Sequence, residues 1–313
     1  MRTLILIAIC LCFATLQLPG QTASKGEHDS LAAPPALLMV RAEEDYSYLR
    51  DQENRTVRSG FFDPIKFIPL SRNRKVYLSF GGQIRPRFEL FKNRFWASNA
   101  DQRFYSQRLA LHANVVLGKH VRVFGELYHG LTSHEQEFAG YDLVDVFQAF
   151  AEYKFSIRKS HKISVRVGRQ EMGLGATRLL GIREGPNIRR SYDLVRGIAR
   201  HKSTTLQAFY GREVLPMAGA FDNRFTFFDP DGPNPRLWGL YSQFKIRRLN
   251  GMNEVYYLGF QVANSTYTDL SGEENRHTFG LRRFGRIGKH WTYNTEGSVM
   301  LTLLARNDSD SNA

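Results

Sequence analysis

From Val76 onward the chain changes character with every residue, and this period of two constrains the fold more than any other feature. Over Val76–Phe91 one parity reads Val76, Leu78, Phe80, Gly82, Ile84, Pro86, Phe88, Leu90. The other reads Tyr77, Ser79, Gly81, Gln83, Arg85, Arg87, Glu89, Phe91. Side chains alternate across a strand but return about every 3.6 residues around a helix, so the pattern belongs to strands. It recurs with Leu109, Leu111, Ala113, Val115 and Leu117 opposite Arg108, His112 and Asn114. Val121, Val123, Gly125 and Leu127 oppose Arg122 and Glu126. Phe147, Ala149, Ala151, Tyr153 and Phe155 oppose Gln148, Glu152 and Lys154, and Ile163, Val165 and Val167 oppose Ser164 and Arg166. Weaker alternation over 195–201, 204–213, 236–246, 254–263, 276–284 and 290–300 brings the expected count to about eleven strands.

One apolar and one charged face suits a strand set between lipid and water. After residue 20 no apolar run approaches the ~18 residues of a membrane helix, and the mean hydropathy is −0.38. Aromatic residues make up 13% of the chain, which favours a pleated surface. The connections alternate in length: short near 118–120, 158–162, 200–204, 245–250 and 285–290, long over 92–103, 131–142, 173–194, 214–235 and 264–275. Short turns at one rim and long loops at the other are a habit of outer-membrane barrels, and a soluble sandwich has no reason to keep it. The expected fold is therefore all-β, an antiparallel up-and-down transmembrane β-barrel.

The first residues agree. Arg2, the apolar stretch Leu4–Leu16, the break at Pro19 and Gly20, and the small Ala23 read as a secretory signal peptide over 1–23. A periplasmic lead-in over 24–75, a barrel over 76–300 and a polar tail over 301–313 complete the expected organisation. Both cysteines, Cys10 and Cys12, fall in the leader, leaving the remainder no disulfide, thiol nucleophile or cysteine metal site. The expected location is the outer membrane of a Gram-negative cell, with outer-membrane lipid and the barrel assembly machinery as partners.

Catalytic signatures are missing, so no enzyme activity, catalytic residue, metal or cofactor is expected. Gly173-Leu174-Gly175 lacks the third glycine of a dinucleotide fingerprint. His129, His134 and Glu135 match no metal spacing, and Asp229-Pro230-Asp231-Gly232 reads as a turn. A net charge of +13 suits an anionic partner. The basic residues are scattered over many strands behind a secretory leader, which argues against nucleic acid.

The charges on the strands carry the functional reading. Arg85, Arg87, Glu89, Arg108, Arg122, Glu126, Glu152, Lys154 and Arg166 all occupy the polar parity. Facing lipid, each would cost up to about 2–4 kcal/mol; facing a lumen, they can bind an anion. Three readings stay open: a basic pore for an anionic solute, a structural or general-diffusion barrel whose lumen neutralises itself through Arg–Glu pairs, and an outer-membrane enzyme using loop carboxylates. The short turns add a basic rim of Lys119, Arg158, Lys159, Lys162, Arg200, Lys202, Lys245, Arg247, Arg248, Arg286 and Lys289.

Residues 143–196 also carry a recognisable pattern: Asp145-Val146-Phe147-Gln148-Ala149-Phe150, then Val167-Gly168-Arg169-Gln170-Glu171, Gly175, Arg178-Leu179, and Asn187-Ile188-Arg189-Arg190-Ser191-Tyr192-Asp193. With Ser79-Phe80-Gly81-Gly82-Gln83-Ile84-Arg85 and Arg41-Ala42-Glu43-Glu44-Asp45 upstream, the chain resembles the alginate export family of outer-membrane porins. The resemblance implies a barrel of about eighteen strands whose arginine-rich constriction passes an anionic polysaccharide or oligosaccharide, an alginate-like polyuronate, by passive diffusion. It adds Arg169, Arg189 and Arg190 to Arg85, Arg87, Arg108, Arg122 and Arg166 as lumenal cations, with Glu89, Glu126 and Glu152 holding them. Arg169 lies on the apolar parity and needs a bulge or strand end to face inward. With about eleven strands and no closing aromatic-ended strand, the chain is expected to be a C-terminally truncated member. Such an open sheet leaves edges unpaired in lipid, so a non-functional family member is a further alternative.

Overall fold

The computed structural model describes residues 34–51, 57–93, 96, 98, 101–133, 140–158, 160–228, 232–246, 250–267 and 270–306. The expected signal peptide, residues 307–313 of the expected tail, His134, Glu135, Asp229, Pro230, Asp231, Lys159, Arg247 and Arg248 lie outside them.

The described residues form one twelve-stranded sheet in sequence order, each strand antiparallel to the next. A two-residue β1 (Ile68–Pro69) precedes eleven long strands: β2 (Val76–Phe91), β3 (Gln102–Leu117), β4 (Val121–Thr132), β5 (Asp142–Ile157), β6 (His161–Gln170), β7 (Tyr192–His201), β8 (Thr204–Glu213), β9 (Arg236–Phe244), β10 (Met252–Tyr267), β11 (Leu270–Ile287) and β12 (Trp291–Arg306). Each expected strand has its counterpart among the long ones. Several run further than the alternation does, because a backbone ladder needs no apolar face once it leaves the lipid. Gly118 at φ 69 and Gly288 at φ 63 take the left-handed conformation that closes the turns β3–β4 and β11–β12.

Burial is inverted relative to a soluble protein. Arg108 is 0% exposed while Leu111, three residues on, is 61% exposed. Ile84, Phe88, Val123, Leu240, Phe279 and Leu301 are exposed on the outer parity, and Arg122, Glu126, Gln148, Glu152 and Arg166 are buried on the inner one. This is the arrangement of a sheet with lipid outside.

Two parts of the chain, residues 34–50 and residues 171–191, lie against the inner face, and residues 222–223 bond Asp142 and Asp145 beside them. The second touches both flanks of the sheet: Arg85 on β2 donates to Glu184 O at 2.9 Å, and Arg178 pairs with Glu296 on β12 at 2.7 Å. In a flat sheet ten spacings of ~4.8 Å would separate β2 from β12 by about 48 Å. The six steps of chain from Arg178 to Glu184 reach about 22 Å at most, and they are folded into bends. The sheet is therefore rolled around this segment. Among the described residues β12 pairs on one side only, with β11.

Three expectations need correction. The long connection over 264–275 does not exist: β10 and β11 continue through it, with Thr266 opposite Ser271 and Ser265 opposite Gly272, past a register shift between Val262 and Ser265. Polar residues on a ladder beyond the lipid looked like a loop. The strand β12 likewise continues to Arg306, beyond the expected start of the tail. Phe147 is not on the outer face; the register slips between Glu126 and Leu127, where their partners pass from Gln148 to Val146. This bulge turns Phe147 inward against Tyr128 and Ile188.

Candidate functional site

The inner face is not purely polar. Phe124 and Phe150 pack on Ala42, and Leu49 packs on Phe67 and Tyr77, so the polar parity also carries the apolar seats of the inserted segments. Gly130 makes room for the second segment: a Cβ there would collide with Ile188 Cδ1.

Around these seats the charges form three groups. In the first, Arg122 lies opposite Glu152, Glu152 opposite Arg166, and Arg166 opposite Arg196, one row across β4, β5, β6 and β7. Glu152 accepts from Arg122 Nε at 2.8 Å and from Arg166 Nη2 at 3.4 Å. Arg166 also pairs with Glu43 of the N-terminal segment at 2.9 Å and stacks over Phe150. Burial alone would raise the Glu43 carboxyl, but Arg166 beside it, with Arg196 and Arg122 nearby, outweighs that and holds it down at about 2.

The second group anchors residues 171–191. Arg189 grips Glu171 with Nε at 2.9 Å and Nη2 at 3.1 Å, and its Nη1 donates to Met39 O at 3.0 Å. Gln148 donates to Glu126 at 2.5 Å and to Glu171 at 3.3 Å. Arg108 reaches Asn187 O at 2.9 Å, Pro186 O at 2.6 Å and Glu184 Oε1 at 2.5 Å.

The third group is half-exposed. Arg85 bonds Glu184, and Arg87 donates to Gly185 O at 2.7 Å and pairs with Glu89 at 2.6 Å. Arg87, Glu89, Arg183 and Asn187, with Phe91 and Phe104, border a cavity of about 350 Å³.

The structure thus gathers Arg85, Arg87, Arg108, Arg122, Arg166, Arg189, Glu89, Glu126 and Glu152 on the inner side, but Glu126 bonds Gln148 rather than an arginine. Arg190 is half-buried and pairs with Glu213 at 2.9 Å. Arg169 takes no bulge: its register with Ala149 and Asp193 is uninterrupted. It lines no open lumen. Its five N–H donors are all engaged, two on Asp193 and one each on Val146 O, Asn223 O and Arg224 O, and it is 1% exposed. Its outer parity called for a bulge or a strand end to turn it inward; a buried carboxylate and loop carbonyls are what make its charge tolerable where it lies.

Sequence reasoning missed Arg196, Arg282 and Glu254, the last two paired at 2.8 Å. Parity could have found Arg196, but Ile198 shares its face and blurs the alternation. Nothing local signalled Glu43, Glu171 or Glu184, because their partners lie on distant strands. The two sequence blocks around 168–171 and 187–193 meet in space through Arg169–Asp193 and Glu171–Arg189. The most recognisable residues of the chain therefore fasten its inserted segment.

A rolled antiparallel sheet, apolar outside and ionic within, defines an outer-membrane β-barrel porin. The chain belongs to the alginate export family, whose pattern it matches over residues 76–301. No curated protein matches it.

Proposed function

We propose that this protein passes an anionic polysaccharide or oligosaccharide, an alginate-like polyuronate, across the outer membrane by passive diffusion. Family membership supports the cargo. The observation that carries the route is the half-exposed pair Arg87 and Glu89 beside the 350 Å³ cavity, with Arg85 next to them on the same face of the strand. A guanidinium offers a carboxylate two parallel N–H donors and so replaces its hydration. Glu89 competes for Arg87, which keeps a bound uronate weakly held and free to leave. No covalent chemistry is involved. Outer-membrane lipid covers the exposed apolar face, the barrel assembly machinery inserts the chain, and residues 1–23 direct its export.

A second reading has its own observation. Arg122, Arg166 and Arg189 are buried in carboxylate pairs, which favours a self-neutralised structural barrel. Reversal potentials in planar bilayers under a salt gradient separate the two. The transport reading expects anion preference that falls in an Arg85→Ser, Arg87→Ser variant. An unselective parent would leave the structural reading.

A further inference from the structure

The row Arg122, Glu152, Arg166, Arg196 alternates in sign for three strands and then fails. Arg166 and Arg196 face each other directly across the β6–β7 ladder, where opposed side chains lie ~4.5–5.5 Å apart at Cβ and like charges repel. Glu152 is already shared between Arg122 and Arg166, while Arg196 bonds the uncharged Gln207. The row alone carries three positive charges and one negative. Glu43 comes from outside the sheet to supply the second negative charge.

We infer that Arg122, Arg166 and Arg196 form a carboxylate-binding site that the chain fills with its own Glu43, and that the carboxylate of an acidic saccharide takes this site by displacing residues 38–50. The segment is a built-in competitor for the transported polyanion. The identity of the displacing ligand rests on the transport reading above; the docking of the segment does not.

Four features make displacement feasible. The Glu43 side chain keeps 39% of its surface exposed, so a second carboxylate can approach the same guanidinium. The segment holds on through little regular structure, two three-residue 3-10 turns at Arg41–Glu43 and Ser47–Leu49. Two of its polar attachments are ones an oligosaccharide can replace, the carbonyls of Met39 and Ala42 that accept from Arg189 and Arg122, as hydroxyl or ring oxygens can, while the apolar seats of Ala42 and Leu49 are given up on displacement. A cavity of about 270 Å³ borders the segment and gives a ligand access; it is walled by Lys119, Lys154 and Arg200 on the short-turn side and by Glu44, Asp45 and Glu152 beside them.

The test uses the full-length protein, its Glu43→Gln and Glu43→Asp variants, and a defined oligouronate, with a neutral oligosaccharide of equal length as control. Two readouts are taken: oligouronate affinity from current block, and the rate of tryptic cleavage after Arg41 and Arg50. The inference expects oligouronate to speed cleavage of the parent and the neutral sugar not to. It expects Glu43→Gln to bind oligouronate about tenfold tighter, the scale of one charge-assisted contact released, and Glu43→Asp to stay near the parent. Equal affinity in parent and Glu43→Gln, with cleavage indifferent to oligouronate, overturns the inference and leaves the transport reading standing. Oligouronate binding to neither protein overturns the transport reading and the ligand assignment with it.

Discussion

Two stretches of the inner face use the same residue types on the same parity and reach opposite states. On β2, Arg85 and Arg87 keep about a quarter of their side-chain surface, 24% and 28%, and Arg87 borders a cavity. On β4 to β7, Arg122 and Arg166 keep 9% and 2% and are locked to Glu152 and Glu43. Parity decided only that both sets face inward. What lies against them decided the rest: a loop that bonds β2 mainly through backbone carbonyls, and an N-terminal segment that brings a carboxylate to β6. An arginine that meets mainly backbone carbonyls keeps part of its surface open, and one that meets a buried carboxylate is enclosed with it.

That contrast can be broken most forcefully at Arg189. Arg189→Ala leaves Glu171 buried without its cation, a loss on the order of 3–5 kcal/mol. It should appear as a lower urea midpoint and earlier loss of the heat-modifiable band, whereas Arg87→Ala should shift neither by more than a fraction of that. Comparable losses in both variants would erase the distinction between the two stretches.

The next largest effect is functional. Arg85→Ser with Arg87→Ser should cut anion preference in bilayer recordings. Arg166→Ser should loosen the N-terminal segment, seen as faster amide exchange over residues 41–44. If Arg85 and Arg87 could be removed with no change in reversal potential while Arg166→Ser abolished selectivity, the roles would be exchanged.

Acid sharpens the comparison from the other side. The Glu43 carboxyl is held at about 2, below its ordinary value. Its stabilisation of the docked segment is fully present above the ordinary glutamate value near ~4.3, and fades as pH falls from there toward about 2. Amide exchange over residues 41–44, corrected for intrinsic rate, should therefore rise between pH 5 and pH 3. Glu43→Gln should flatten that profile; an unchanged profile in the variant would assign the pH response to another group.

The smallest effect is expected at the rim. Lys119→Gln, Lys154→Gln and Arg200→Gln, around the cavity beside the N-terminal segment, should slow oligouronate association at low salt. The difference should vanish as the Debye length shrinks from about 10 Å at 0.1 M salt to about 3 Å at 1 M. A salt-independent difference would mean contact with the ligand rather than steering.

Much of the fold was legible because its cause is local. Alternation over Val76–Phe91 and Thr204–Glu213 is a property of consecutive residues, and those strands were found with their ends. The bulge at Phe147 was not legible, since a register slip is an agreement between two strands and Phe147 continues the apolar alternation. The polar stretch around Ser265 and Ser271 was misread because polarity without a lipid constraint no longer distinguishes ladder from loop. At the site, the aromatics Phe124, Tyr128 and Phe150 on an otherwise charged parity were the one available sign that something packs against the inner face.

Taken alone, the sequence settled the facing of the regular strand stretches, because strand geometry assigns alternate residues to opposite faces wherever no bulge intervenes. It also named many of the charges kept out of lipid, though not Arg196, Glu254 or Arg282. Which of those charges remain able to bind a solute was left to the tertiary structure. Glu43 meets Arg166 across 123 residues of chain, and Arg85 meets Glu184 across 99. No local pattern encodes such pairings; they exist because rolling the sheet brings one N-terminal segment and one loop onto a concave face that an isolated strand does not possess.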